Sequence, residues 1–153
     1  MAKRRQRYTI AHPLEAVRRL VGTPEHVGQG LAFVAATEER GGRPFWRLRP
    51  AMATITGAEG LTLDFRTGGP GEVRWQGESP RLVSRGEIIL RPGGVGATDL
   101  DLTLEMAGVG LASAVIEPLA SMQIENQMDH FVDRLEAALG PAVSEGEKAY
   151  VCR

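Results

Sequence analysis

Cysteine is almost missing from this chain: Cys152, next to last, is the single one. That excludes an internal disulfide and a cysteine-based metal centre. Histidine occurs three times, as His12, His26 and His130, with no pair at the i, i+4 spacing of a helical metal site. There is no Gly-x-Ser-x-Gly elbow for a nucleophile and no Gly-Lys-Ser/Thr loop for a phosphate. Neither a metal nor a cofactor is expected, and a self-sufficient metal or covalent enzyme is disfavoured. Long apolar runs are absent too, each being broken well before the roughly 20 residues of a membrane span. The basic opening, residues 1–7, leads into Tyr8-Thr-Ile10 rather than an apolar signal core, which predicts a cytoplasmic protein.

What is present is ordinary globular material. The 153 residues are 42% hydrophobic and 24% charged, one domain's worth with a real core. Residues 1–98 carry 15 Lys/Arg against 9 Asp/Glu, and residues 99–153 carry 3 against 10. A basic front and an acidic back that neutralise each other on folding account for the net charge of −1. Nucleic acid is not an expected partner: the front arginines interleave with acids, as in Asp64-Phe-Arg66, instead of clustering outside Lys3-Arg4-Arg5-Gln-Arg7.

The chain opens with a short β-prone segment, Arg7–Ile10. His12-Pro13 then starts a helix carrying Leu14, Val17, Leu20 and Val21 at helical spacing, with His12 as its cap. Thr23-Pro24-Glu25 starts a second short helix. Period-2 segments follow: Leu31–Thr37, Phe45–Arg49, Leu61–Arg66, Val73 with Trp75, Leu82–Leu90, and Leu100 to Met106. Glycine-rich turns separate them, and such spacing predicts an antiparallel meander with one wet and one buried face. The strand acids Asp64, Glu72, Glu87, Asp99, Asp101 and Glu105 fall on the wet face.

The end of the chain is helical. From Pro118, a first-turn position, to Leu139 is about 33 Å of helix, with Ile124, Met128, Phe131, Leu135 and Leu139 in one stripe before Gly140-Pro141. Leu111, Val115, Leu119 and Met122 also follow helical spacing, but on roughly the opposite side. Either the chain breaks near Pro118, or the front half buries against something else: a homodimer, a partner protein, or a cavity mouth over which it forms a lid.

Strand, two short helices, about six to seven antiparallel strands and one long C-terminal helix make an α+β layout that resembles the helix-grip fold of the START-like (SRPBCC) superfamily. Ala11-His-Pro-Leu-Glu-Ala-Val17 is similar to its first-helix opening, and Gly93-Gly-Val-Gly-Ala-Thr98 to its last hairpin. Met106-Ala-Gly-Val-Gly-Leu-Ala112 resembles the bacterial branch associated with carbon monoxide dehydrogenase. The resemblance implies one domain over residues 1–140 with a polar tail, 141–153, and a curved sheet gripping the long helix around a hydrophobic cavity. A lipid or polyketide-like ligand would then touch Trp46, Leu48, Leu63, Phe65, Trp75, Leu102 and Leu104 on the sheet, and Ile124, Met128 and Phe131 on the helix. Glu117, Glu125 and Asn126 are placed to reach the cavity mouth. The same resemblance leaves open an accessory or assembly module docking through Leu111, Val115, Leu119 and Met122, and a cyclase- or aromatase-like enzyme.

Overall fold

The computed structural model describes residues 2–69 and 71–141. Cys152 and nearly all of the expected tail lie outside the described residues. Seven strands form one open antiparallel sheet in the order β1-β7-β6-β5-β4-β3-β2. The strands are β1 (Ala2–Ile10), β2 (Val34–Arg40), β3 (Arg43–Leu48), β4 (Gly60–Gly68), β5 (Glu72–Glu78), β6 (Leu82–Pro92) and β7 (Thr98–Gly108). Between β1 and β2, helices α1 (Leu14–Val21) and α2 (Pro24–Gly30) carry the chain from one edge of the sheet to the other. A third short helix, α3 (Pro50–Thr56), fills the connection from β3 to β4, for which the sequence pattern predicts no element. The meander returns strand by strand until β7 pairs with β1. Helix α4 (Ser113–Leu139) closes the fold against β7 and β1.

Several boundaries differ from those the sequence predicts, each for a physical reason. β1 starts at Ala2, not Arg7, because its whole length pairs with β7, from Ala2 opposite Met106 to Ile10 opposite Thr98. Strand alternation thereby splits the basic opening between the two faces of the sheet. β2 starts three residues after Leu31, because the Gly41-Gly42 turn fixes its register: both glycines have positive φ, 59° and 76°, so Arg40 pairs with Arg43. Leu31 and Phe33 instead enter the core from the loop.

Helix α4 neither begins nor breaks at Pro118. It starts five residues earlier and runs through the proline. Ile116 and Ala120 extend the buried stripe by successive steps of four, so the first turns stay on the sheet. Pro118 faces away from the core and removes one N–H to the carbonyl of Ala114. His12 does not cap α1, whose N-cap is Pro13. Its Nε2 lies 3.0 Å from the Gly140 carbonyl and donates to it, capping the end of α4 instead.

Candidate functional site

The sheet and α4 face each other through the residues the sequence singles out. Leu61 and Leu63 on β4, Trp75 on β5 and alternate residues from Leu100 to Met106 on β7 turn inward. Trp46, Leu48, Leu63, Trp75, Leu102 and Leu104 are buried on this face, and Phe65 is half-buried. Across from them, Ile124, Met128 and Phe131 are buried on α4. All ten therefore belong to one layer between sheet and helix.

Their side chains fill that layer. Trp46 and Trp75 meet edge to face at 6.1 Å and 66°, and the Trp46 indole donates to the Pro24 carbonyl at 3.1 Å. A small void between sheet and α4 measures about 10 Å³ and is bordered by Phe33, Ser84, Leu104, Met106, Ala120 and Ile124. Trp75 lies beside it by strand register: it pairs with Gly86, which pairs in turn with Leu104 and lies two residues from Ser84. The Trp75 indole N–H is buried and has no hydrogen-bond partner, alone in this among the described side chains. Such an unpaired donor costs on the order of 1–3 kcal/mol.

A second concavity, of about 250 Å³, lies where α1 and α2 meet the C-terminal half of α4. Leu20, Val27, Phe131 and Leu135 form its apolar floor, and His26 and Arg134 stand among its polar lining. Of its residues, the sequence singles out only Phe131 as a ligand contact. Leu20, Val21 and Leu135 read from the sequence only as helix-core positions, because the cleft is built by three helices whose mutual packing no short pattern records.

The outer face of the sheet is a lattice of ion pairs. Arg66 pairs with Asp64 at 3.1 Å, Arg74 with Glu72 and Glu87 at 2.6 and 2.8 Å, and Arg85 with Glu105 at 3.0 Å. Asp101, expected on a wet face, is buried: Arg5 on β1 covers it and donates from Nε at 2.9 Å and from a terminal nitrogen at 2.5 Å. These hydrogen bonds hold its carboxyl below the usual carboxylate range. A depressed folded-state pKa stabilises the fold above the unfolded value, near pH 4, and that contribution disappears as pH falls through the folded value. Asp101→Asn is therefore expected to flatten the loss of stability between pH 7 and pH 3 in urea titrations. An unchanged slope would mean that the pair does not couple to folding.

Glu125 pairs with Arg4 at 3.4 Å, and Asn126 is exposed. Tyr8 donates to Asp129 at 2.9 Å, and burial together with that carboxylate raises the phenol above its usual range. Among the described residues no group of three or more His, Cys, Asp or Glu is arranged to hold a metal ion. No helix among them is long and apolar enough to cross a membrane. Leu111, in the single 3-10 turn Gly110–Ala112 that leads into α4, is 97% exposed, and Val115, Leu119 and Met122 lie on the outer side of α4 itself, Met122 78% exposed.

No protein-family model and no curated protein matches the chain in sequence. Solved structures do match in shape. A START superfamily protein from Mycobacterium smegmatis aligns with a TM-score of 0.67 at 10% identity, over 91% of this chain and 97% of that one. A protein from Thermus thermophilus gives 0.67 at 18% identity, over 93% and 99%. The Zhui aromatase/cyclase from a Streptomyces species gives 0.64 at 13% identity, over 94% and 96%. These alignments run over nine-tenths or more of both chains, so this protein has the START-like helix-grip fold.

Proposed function

We propose that this protein binds a small apolar or amphipathic molecule, of lipid or polyketide-like character, between the sheet and α4. Trp75 carries the reading. Its buried, unpaired N–H offers one directional donor in a mainly apolar layer that also holds the Ser84 hydroxyl, the pattern of a site that orients a ligand by a carbonyl or hydroxyl oxygen. The neighbouring void is small, so a ligand enters by repacking side chains around it. Met106 and Met128, unbranched and adaptable, are the ones suited to give way. The shared shape with an aromatase/cyclase and a START superfamily protein supports the same reading.

Native mass spectrometry of freshly purified protein is expected to show a co-purifying apolar mass. Trp75→Phe keeps an apolar ring and removes the donor, so it should release that mass or weaken its retention. A wild-type protein that arrives empty and fails to enhance a hydrophobic fluorescent probe would overturn the proposal.

The exposed stripe on α4 favours a second reading, a protein-interaction module. Four apolar residues on one outer helix face make a self-complementary or partner patch. If two copies pair through it, light scattering should show a dimer that Leu119→Glu converts to a monomer. A wild-type monomer, unchanged in mass by the substitution, removes the homodimer.

A further inference from the structure

The cleft between α1–α2 and α4 joins an apolar floor to a cationic edge. Its floor is apolar, from Leu20, Val27, Phe131 and Leu135, and Arg134 stands at its edge. Arg134 makes no ion pair with any described residue. The reason lies in the helix: the positions three and four away on either side are His130, Phe131, Ala137 and Ala138, none of them acidic. Arg5, Arg66, Arg74 and Arg85 on the sheet, where cross-strand or i, i+2 acids are in reach, each hold a carboxylate.

His26 adds an imidazole. Thr23 Oγ1 accepts the His26 backbone N–H and lies 2.6 Å from the ring Nδ1. The Thr23 hydroxyl and the ring Nδ1 share this hydrogen bond in a direction set by the ring tautomer, and Nε2 is left for a partner other than Thr23. A guanidinium, an imidazole and the Gln29 amide, with no carboxylate, therefore line an apolar hollow.

We infer that this cleft is a binding site for a small amphipathic carboxylate, its apolar body on the floor and its carboxylate on Arg134. The volume, about 250 Å³, lies just under the roughly 300–1,000 Å³ of sites for drug-sized ligands, which suits an occupant on the order of ten non-hydrogen atoms. The inference does not rest on the interior site: the two share Phe131, but Trp75 and the void near Ser84 and Leu104 take no part in the cleft.

Octanoate is the probe, with octanol as its uncharged counterpart, titrated into the isotope-labelled full chain and followed by amide NMR. Octanoate should bind with a Kd of about 0.1–1 mM and shift signals of Val27, Gly30, Leu135 and Ala138. Octanol should bind about 3- to 5-fold more weakly, as expected for loss of one partly exposed ion pair. Arg134→Gln should weaken octanoate by a similar factor and leave octanol unchanged. Ala138→Trp, on the exposed rim, should block both while the remaining spectrum stays folded. Equal affinities for the two probes, or no response to Arg134→Gln, would overturn the carboxylate assignment. Shifts at Ser84, Leu104 and Ile124 instead would move binding to the interior and overturn the cleft. Cleft signals that move on deletion of residues 142–153, with octanoate moving none of them, would give the cleft to the chain's own C-terminus and overturn the inference as well.

Discussion

Phe131→Ala is expected to lower the unfolding free energy by about 3–5 kcal/mol. Phe131 is 2% exposed and lies where α4, α2 and the sheet-facing core meet. A β-carbon built on Gly30 would come within 2.7 Å of its ring, so α2 is already in contact and cannot close over the space that truncation leaves. For a chain of this length each kcal/mol corresponds to roughly 2–4 °C in melting temperature, giving a drop of about 6–20 °C by calorimetry. Leu119→Ala on the outer face is the control, expected to change stability by less than about 0.5 kcal/mol. A loss below about 1 kcal/mol at Phe131 would mean that α4 is not anchored there.

Gly86→Ala should destabilise although it adds a single methyl. In most strand positions replacing glycine helps, by reducing the freedom of the unfolded chain. At Gly86 the indole of Trp75 lies on the backbone: an added β-carbon would stand 1.9 Å from Cζ2 and 2.2 Å from Cε2. The ring cannot slide away freely, because Trp46 packs against it. Overpacking of this kind costs about 1–3 kcal/mol. The double variant with Trp75→Phe should recover part of the loss, giving a coupling energy of about 0.5–2 kcal/mol in urea unfolding. Neutrality of Gly86→Ala, with unchanged tryptophan emission, would show that the indole does not rest on Gly86. The pair also bears on ligand binding, since Trp75 holds the unpaired donor beside the void.

Much of the architecture is legible in the residues. Leu100, Leu102, Leu104 and Met106 announce a half-buried strand by alternation alone, and β7 is that strand. Thr23-Pro24 announces a helix start, and Thr23 accepts a hydrogen bond from the His26 backbone as the N-cap of α2. Where pattern and structure differ, a longer-range partner decides. The apolar run Leu31–Thr37 reads as a strand, yet the Gly41-Gly42 turn assigns pairing to Val34–Arg40 and leaves Leu31 to plug the core. Pro118 reads as a helix start, yet Ile116 and Ala120 tie the preceding turn to the sheet.

The candidate sites divide in the same way. Periodicity alone determined which side chains face which: the inward sheet residues, the buried stripe of α4 and the outward Leu111, Val115, Leu119 and Met122. It did so because the period of a strand or helix is a local property of the backbone. Whether space remains between two facing surfaces is a property of both together. Only the tertiary structure decided that Trp46, Trp75, Met128 and Phe131 fill the sheet–helix layer down to a small void. Only packing left Trp75 without an acceptor, sealed Asp101 under Arg5, and opened a cleft beside Arg134, which has no ion pair among the described residues. Volume and hydrogen-bond pairing depend on residues distant in sequence, here 121 positions apart for Tyr8 and Asp129 and 96 for Arg5 and Asp101. A local pattern carries no record of them, because close packing fixes them only when the elements meet.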